Sequence, residues 1–547
     1  MRFPIKNGMR SDRGSALAPA RLLSGALPPI ALGAVGMLIA FYPTLLSKFE
    51  RMQSDTGDTR FTNFVLEYEY RWLHGDPLAR ELWSPGIFFP EKNTLAYSDT
   101  FVSLLPFYAP WRSLGAKPDS AYQLFLLTVG GLNFIVAYLL LRNGFRRTVV
   151  GSSLGAFLFS FGSIRLNQLN HAQLLPQFYP LISLYGLVRI FQADLGSSSR
   201  HFGWWIALFF SGITAQLYAD YYLAWFYLFA LGLCCVWVAL NPAVRRSVLA
   251  NLRPKWKFLA IGFAAWIVSV GPLATHYLKA AQRVGYRDFG QAKGMLPRFQ
   301  SWFYVGSENW LWGWLERSRL FEALPMHWEH RLGLGLVTTA IFVYVLWHGR
   351  KTPLIRLLTF VCLAVVLLST AYRGQLSPWA VVFQVIPGAN GIRAVSRIAF
   401  LLLFPASYAL ASFAELALGP PLRRPLLVAC IVSVLEQGRT QLSYDKQEVR
   451  REVEAVVRRV EPGRCAYFYY STSDMTQPAY LPQVDAMFSY LATGIPTVNA
   501  YSSNAPRDWA LEDPRIGSAA DELRLAQRLD AWLESHRLLR SGLCWIR

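Results

Sequence analysis

Long apolar runs recur along most of this sequence and constrain its fold more than any other feature. A helix needs about twenty predominantly apolar residues to cross the roughly 30 Å hydrocarbon core of a bilayer. The runs predict eleven spans, the last of them short: 22–46, 122–141, 148–164, 173–192, 203–218, 222–240, 257–279, 332–348, 354–371, 397–418 and 425–437. We therefore expect a mainly α-helical, polytopic transmembrane bundle over residues 22–437.

The composition agrees with a membrane protein. Of the 547 residues, 53% are hydrophobic and only 16% are charged, whereas soluble domains carry about 25% charged residues. The 19 Trp and 26 Tyr suit the membrane–water boundary, where an apolar ring and a polar tip are both satisfied. The net charge of +20 does not indicate a nucleic-acid partner, because no basic helix or aromatic-interleaved basic patch is present.

The basic residues fall at every second connection between the predicted spans. They are Arg2, Lys6, Arg10, Arg13, Arg21, Arg142, Arg146, Arg147, Arg189, Arg200, the cluster from Arg245 to Lys257, Arg350, Lys351, Arg356, Arg423 and Arg424. Short loops rich in Lys and Arg stay in the cytoplasm, so residues 1–21 form a cytoplasmic N-terminus. The run 22–46 is too long for a typical signal peptide and lacks a clear cleavage site, so we expect it to remain as a span.

The same alternation places three large pieces on the extracytoplasmic side of the membrane. They are a first loop, residues 47–121, a second loop, residues 280–331, and a tail, residues 438–547. The tail has the pattern of a small soluble α/β domain. Its predicted helices are 446–460, 485–493 and 519–536, and its predicted extended segments are 465–470 and 496–501.

Cysteine use fits this topology. Cys465 and Cys544 lie outside the membrane, in the compartment where disulfides persist, and we predict that they pair. The other four, Cys234, Cys235, Cys362 and Cys430, lie within predicted spans and are interpreted as packing residues. No Cys/His spacing indicates a zinc site.

The first loop carries the residue that we take as the main catalytic candidate. From Phe61 to His74, apolar and aromatic residues recur at helical spacing and Gly75 can end the helix. We expect this helix to lie in the interface, with its apolar stripe in lipid and its polar face, which includes Glu67, toward water. Asp58, at the helix start, could act as a general base on an acceptor hydroxyl. The alternative is that Asp58 is only a helix cap and Asp55 only a turn residue.

Four further residues are candidates by position. His171 is either a solvated boundary residue or a phosphate contact. Asp220, between two spans, is either a hydrated turn residue or part of a site. Arg393 and Arg397 are four residues apart, at the outer entrance of the tenth span, where the positive-inside rule does not explain them. Together they suit a phosphate or pyrophosphate.

Several short motifs resemble the GT-C superfamily of integral-membrane glycosyltransferases, and more closely its bacterial YfhO-like and mannosyltransferase-like branch. They span nearly the whole chain: Gly57-Asp58, Leu66-Glu67-Tyr68, Phe88-Phe89-Pro90, Leu95-Ala96-Tyr97-Ser98-Asp99, Asn170-His171-Ala172-Gln173, Gly391 through Arg397, Asp485-Ala486-Met487 and Thr493 through Ser502. The sequence lacks a clear paired acidic motif of protein mannosyltransferases and the tail motif of oligosaccharyltransferases. The resemblance therefore does not extend to protein acceptors or to transfer of a whole oligosaccharide.

The resemblance implies an inverting transfer of sugar from a polyprenyl-phosphate donor to an extracytoplasmic glycan or lipid. It implies Asp58 as the base and Arg60 and Lys92 near the donor phosphate, beside Arg393 and Arg397. Asp55, Glu67, His171 and Asp220 are expected around the substrate. Asp55, Asp58 and Glu67 could also supply oxygen ligands to a divalent metal, although no spacing requires one.

The alternative function is a non-catalytic glycolipid transporter, flippase or envelope assembly factor. Such proteins carry ionisable residues inside several spans or repeat-related broken helices. Here the spans are nearly free of charge at their centres, and the polar residues gather at one face of the membrane. This pattern favours the enzyme.

Overall fold

The computed structural model of this chain describes residues 19–193, 199–372, 376–417, 423–461 and 463–547. Most of the predicted N-terminal segment 1–21, with Arg2, Lys6, Arg10 and Arg13, lies outside the described residues.

The helices of the first half are α1 Pro19–Leu46, α2 Asp58–Leu73, α3 Leu105–Ser113, α4 Pro118–Leu139, α5 Val149–Phe161, α6 Ser163–Leu166, α7 Phe178–Gln192, α8 Ser199–Ala219, α9 Tyr221–Leu240, α10 Pro242–Leu252 and α11 Trp256–Val284. Those of the second half are α12 Phe289–Lys293, α13 Arg319–Glu322, α14 Leu336–His348, α15 Pro353–Ser369, α16 Trp379–Val385, α17 Phe400–Ala417, α18 Arg423–Leu435, α19 Lys446–Val457, α20 Tyr480–Thr493 and α21 Ala519–Ser535. The strands are β1 Arg51–Gln53, β2 Ser443–Asp445, β3 Tyr467–Tyr470 and β4 Leu543–Ile546.

The prediction of a mainly helical membrane bundle is confirmed. A helix occupies each of the eleven predicted spans. Among the described residues, seven helical segments are long and apolar enough to cross a membrane, and the segments 336–348, 353–369 and 424–435 are apolar but shorter. The count of eleven crossings therefore stays a prediction.

The first-loop helix α2 is buried in protein, so the prediction that it lies between lipid and water is wrong. Residues 59–69 are all buried. The predicted lipid-facing stripe packs on the tail instead: the Phe61 ring meets Tyr501 at 5.9 Å, and the Phe64 ring meets Phe488 at 6.1 Å. The helix begins at Asp58, three residues earlier than predicted. Because the tail covers its apolar side, α2 can hold Asp58 in a fixed place.

The tail is built around a small parallel sheet that continues into the first loop. Strands β3 and β4 pair in parallel, and the disulfide Cys465–Cys544 lies beside them. Backbone hydrogen bonds extend the sheet from β3 to 496–498 and from there to 86–89 of the first loop. A second connection is made by β1, which pairs with β2 in antiparallel register. The tail and the first loop thus form one packed unit.

The connections that the topology assigned to one side of the membrane meet at the same end of the bundle. Hydrogen bonds or ion pairs join the first loop to the α6–α7 connection, to the start of α9 and to the tail. The second loop is joined in the same way to the residues before α17. All the groups described next lie in these connections.

Candidate active site

The backbone around Gly57 places the Asp58 carboxylate at the first residue of α2. Asp55 Oδ1 accepts a hydrogen bond from the Gly57 amide at 2.9 Å and lies 3.5 Å from the Thr59 amide. Asp55, rather than Asp58, therefore satisfies the open amides at the helix start. A Cβ at Gly57 would come within 2.9 Å of the Tyr480 ring, so a glycine is needed for this close approach. The Asp58 side chain is left free to face the pocket.

Both oxygens of Asp58 have a partner. The Tyr501 hydroxyl donates to Oδ1 at 2.8 Å, and His171 Nδ1 lies 3.2 Å from Oδ2. The side chain nevertheless keeps 29% of its surface exposed, which is enough for a substrate to reach it. Burial, with the negative charge of Asp55 adding to it, raises the pKa of Asp58 to about 6. A carboxylate with a pKa near neutrality is suited to general base catalysis.

His171 connects Asp58 to Arg397. Arg397 Nη2 lies 2.8 Å from His171 Nε2, and because a guanidinium can only donate, Nε2 must accept. In the neutral imidazole the proton then sits on Nδ1, facing Asp58. Burial and the nearby charge of Arg397 lower the pKa of His171 to about 3, which keeps the ring neutral. The Nδ1–H group of His171 is therefore on the side of the Asp58 carboxylate, 3.2 Å from Oδ2, and makes an electrostatic contact with it.

Glu329 holds Arg397 in place from the other side. Its Oε1 accepts from Arg397 Nη2 at 2.9 Å, and its Oε2 accepts from the Ser396 hydroxyl at 3.2 Å. Burial by itself would raise the pKa of Glu329, but the Arg397 charge and these hydrogen bonds lower it to about 2. The Glu329 and Arg397 side chains are only 4% and 11% exposed. The pair is thus a largely buried carboxylate–guanidinium pair.

Two further arginines, Arg287 and Arg393, lie near Arg397 of this pair. Arg287 is held by Asn504 Oδ1 at 2.8 Å, and the positive charges of Arg393 and Arg397, after burial, lower its pKa. Arg393 is exposed. The Arg397 guanidinium also lies over the Tyr222 ring, 5.7 Å from its centroid. Glu329 pairs with Arg397, whereas Arg287 and Arg393 add positive charge beside it, and such a group of cations attracts an anion.

A second acidic pair lies behind these arginines. Asp99 Oδ1 accepts the Tyr221 amide at 2.9 Å, and Asp220 caps α9 by accepting the Leu223 amide at 2.5 Å. Burial raises the pKa of Asp99 to about 6, and burial with the charge of Asp99 raises that of Asp220 well above its usual value. The two carboxyl groups thus lie close enough for the negative charge of Asp99 to disfavour ionisation of Asp220.

The solved structures that resemble this chain include two membrane proteins of low sequence identity. No protein-family model matches the sequence. A search of curated proteins also found no match. The oligosaccharyltransferase of Archaeoglobus fulgidus in its apo form is 12% identical, with a TM-score of 0.49 over 87% of this chain; the chain spans 64% of that protein's length. ArnT from Cupriavidus metallidurans in its apo state is 12% identical, with a TM-score of 0.44 over 88% of this chain and 90% of ArnT. Neither score reaches 0.5, so the proposals below rest on contacts within this chain.

The structure brings Asp55, Asp58, His171, Arg393 and Arg397 into one cluster of interacting groups, which we name the Asp58 pocket, and Asp220 interacts with Arg397 of this cluster. The Asn170-His171 motif meets the Gly57-Asp58 turn directly, since Asn170 is hydrogen-bonded to Asp55 and His171 contacts Asp58. The contacts of this motif with Asp55 and Asp58 could not be derived from spacing along the chain.

Three predicted site residues are held elsewhere. Arg60 is buried and pairs with Asp485 of the tail at 2.7 Å, so it is not available to a donor phosphate. Lys92 is 73% exposed and pairs with Glu81 at 3.2 Å. Glu67 is buried, 1% exposed, with Arg112 at 2.7 Å and Arg71 at 3.2 Å. Each of these charges has a structural partner, and none of their contacts is with the Asp58 pocket.

The oxygen-ligand set Asp55, Asp58 and Glu67 does not fit a divalent metal, because Glu67 is engaged by two guanidinium groups. Within the described ranges, no group of three or more His, Cys, Asp or Glu side chains is arranged to hold a metal ion. We derive no chemical step through a metal.

Sequence reasoning missed Glu329 and Arg287. Glu329 lies in a Trp-rich loop between His327 and His330, and nothing in the local pattern separates it from a surface residue. Arg287 lies three residues beyond α11 and resembles an ordinary charge at the end of a span. A signal existed only for Tyr501, which stands in the quoted Thr493 to Ser502 motif.

Proposed function

We propose that this chain is an inverting membrane glycosyltransferase that takes sugar from a polyprenyl-phosphate donor and passes it to an extracytoplasmic glycan or lipid. The observation that carries the proposal is the series of contacts Asp58–His171–Arg397–Glu329, in which His171 Nδ1 lies 3.2 Å from Asp58 and Arg397 is hydrogen-bonded to both His171 and Glu329. It places a base with a pKa near 6 on one side of an imidazole and a fixed cation on the other. Transfer of a sugar from a phosphate needs a base for the acceptor hydroxyl and a cation for the leaving phosphate.

Asp58 is the proposed base. Its carboxylate takes the proton from the acceptor hydroxyl while that oxygen forms a bond to the anomeric carbon of the sugar. The bond from that carbon to the phosphate oxygen breaks, and its electron pair leaves with the polyprenyl phosphate. The hydrogen bond from Tyr501 and the close approach of His171 Nδ1 orient the carboxylate. Attack opposite the leaving group inverts the anomeric centre.

Arg287, Arg393 and Arg397 are proposed to hold the donor phosphate. The leaving phosphate gains negative charge as the bond breaks, and preorganised cations stabilise that charge. Arg397 cannot swing away because Glu329 and His171 fix its guanidinium. Arg393 is exposed and can adapt to the lipid headgroup. Arg397 is therefore the rigid cation of the proposed phosphate site, and Arg393 is the adjustable one.

The pocket is proposed to face the extracytoplasmic side of a bacterial inner membrane. The basic clusters at the opposite connections favour this orientation by the positive-inside rule. The disulfide Cys465–Cys544 also favours an oxidising compartment for the tail. The narrower likeness to the YfhO-like branch stays a prediction from the motifs.

The test is transfer by purified protein in lipid nanodiscs. Polyprenyl phosphates carrying radiolabelled hexoses or pentoses are supplied with an extract of envelope glycans and lipids, and release of unlabelled polyprenyl phosphate is measured. We expect release by the native protein, a fall of at least about 10²-fold in Asp58→Asn, and no change in the control Asp474→Asn, on the surface of the tail. Equal release by both variants would remove Asp58 as the base. With the protein in sealed vesicles, movement of intact donor across the bilayer without release would support the transporter instead.

A further inference from the structure

A cavity of about 740 Å³ lies in the second loop, outside the Asp58 pocket. Its wall includes the indole of Trp314, the carboxylates of Glu316 and Glu322, the Arg317 side chain and the His327 ring. Ligand pockets in proteins typically enclose about 300–1,000 Å³. The volume is thus sufficient for a small molecule larger than a single sugar.

The wall of the cavity has a core of its own. Tyr304, Phe321 and Leu324 form a buried cluster separate from the main core, and the Tyr304 and Phe321 rings stack at 5.1 Å. At the floor, a Cβ on Gly313 would come 2.2 Å from the Ser307 carbonyl oxygen, so glycine lets the two sides of the loop meet. These contacts give the wall of the cavity a packed support.

The second loop is also fixed to the membrane helices. Glu436, just past α18, accepts from the Trp312 indole at 2.8 Å and from the Thr338 amide at 2.6 Å. The Trp310 amide donates to the Gly438 carbonyl at 3.0 Å. The cavity therefore stands at the same end of the bundle as the Asp58 pocket.

The chemistry of the wall selects a class of ligand. Trp314 is 63% exposed and offers a flat apolar face, on which the C–H face of a sugar ring can stack. Glu316 and Glu322 accept hydrogen bonds from hydroxyls, and Arg317 donates them. Two carboxylates beside one guanidinium give no excess of positive charge, which disfavours a phosphate. An uncharged polyhydroxyl ligand fits this combination.

We propose that this cavity binds the saccharide part of the acceptor, which rests on the proposed function. His327, on the cavity wall, and Glu329, which holds Arg397, lie in the same short helical turn His327–His330. The Asn167 side chain donates to the Arg331 carbonyl at 3.0 Å, which ties that turn to the segment before His171. In this proposal a saccharide of several rings is held on Trp314 and its terminal hydroxyl is the group that reacts at Asp58.

The test is binding of defined trisaccharides to the full chain in nanodiscs, followed by saturation-transfer nuclear magnetic resonance. Maltotriose, mannotriose and chitotriose serve as probes. We expect saturable binding of at least one, weakened about tenfold in Trp314→Ala, as expected for loss of a stacked aromatic face. Glu322→Gln should weaken it as well. The control Trp328→Ala removes an equally exposed indole (59% exposed) that does not line the cavity, and should bind as the native protein does.

The outcomes separate this proposal from the proposed function. Binding that survives Asp58→Asn while no donor is ever cleaved supports the saccharide site and overturns the transferase. Transfer by the native protein with no saturable binding of any trisaccharide overturns the saccharide site alone. Equal weakening by Trp314→Ala and Trp328→Ala also overturns it, because both rings would then act only as membrane anchors.

Discussion

The hydroxyl of Tyr501 donates a hydrogen bond of 2.8 Å to the carboxylate of Asp58, across 443 residues of sequence. Burial raises the pKa of the phenol, so Tyr501 stays protonated and can only donate to the carboxylate. The tail therefore completes the pocket rather than merely covering it. The protonation state of Asp58 therefore depends on Tyr501, a residue that follows all the membrane helices in the sequence.

Tyr501→Phe should raise the pKa of Asp58 further. The hydrogen bond favours the charged carboxylate, so its loss disfavours deprotonation. We expect the acidic limb of the pH–rate profile to move to higher pH, with the rate at pH 9 nearly unchanged. The matched control is Tyr480→Phe, because the Tyr480 ring packs 5.7 Å from Tyr501. An unshifted acidic limb in Tyr501→Phe would contradict the role assigned to this bond.

Transfer should depend on pH through Asp58 itself. Asp58 works as a carboxylate with a pKa of about 6, so the rate should fall as pH drops below 6, by about tenfold per unit. The charge of Asp55 contributes to the raised pKa, so Asp55→Asn should move this limb to lower pH. Asparagine keeps an acceptor oxygen for the Gly57 amide, which preserves the turn. If the acidic limb of the pH–rate profile stays at the same pH in Asp55→Asn, Asp55 does not influence the pKa of Asp58.

Arg397→Met should destabilise the protein and abolish transfer. It leaves Glu329 buried without a cation, and breaking a buried ion pair costs about 3–5 kcal/mol. The double variant Glu329→Gln, Arg397→Met removes both charges and should recover most of the thermal stability but none of the activity. Thermal unfolding in detergent and transfer assays measure the two effects. Recovery of activity in the double variant would show that Arg397 serves the fold and not the phosphate.

Cys465→Ser with Cys544→Ser should loosen the tail. The bond closes a separation of 79 residues, and loop-closure entropy predicts a loss of about 4 kcal/mol. Because the tail supplies Tyr501, we expect faster proteolysis of residues 463–547 and lower activity at elevated temperature. Limited proteolysis with and without a reductant gives the measurement. Equal protease resistance in both forms would show that packing alone holds the tail.

The sequence by itself determined the membrane helices. Apolar length is a local property, so each of the eleven predicted spans contains a helix. Local pattern also indicated the turn before α2 and the cysteine pair in the tail. The helices and the turn depend only on residues that are neighbours in the chain. The cysteine pair could be predicted because both cysteines were placed in the same compartment.

Only the tertiary structure decided which charges meet. Arg60 and Arg397 are both arginines beside predicted site residues, yet one pairs with Asp485 and the other with His171 and Glu329. The apolar stripe of α2 has the pattern of a lipid-facing surface, but the tail covers it. Periodicity shows that a face is apolar and not what packs against it. The partner of a charge likewise depends on distances between segments hundreds of residues apart.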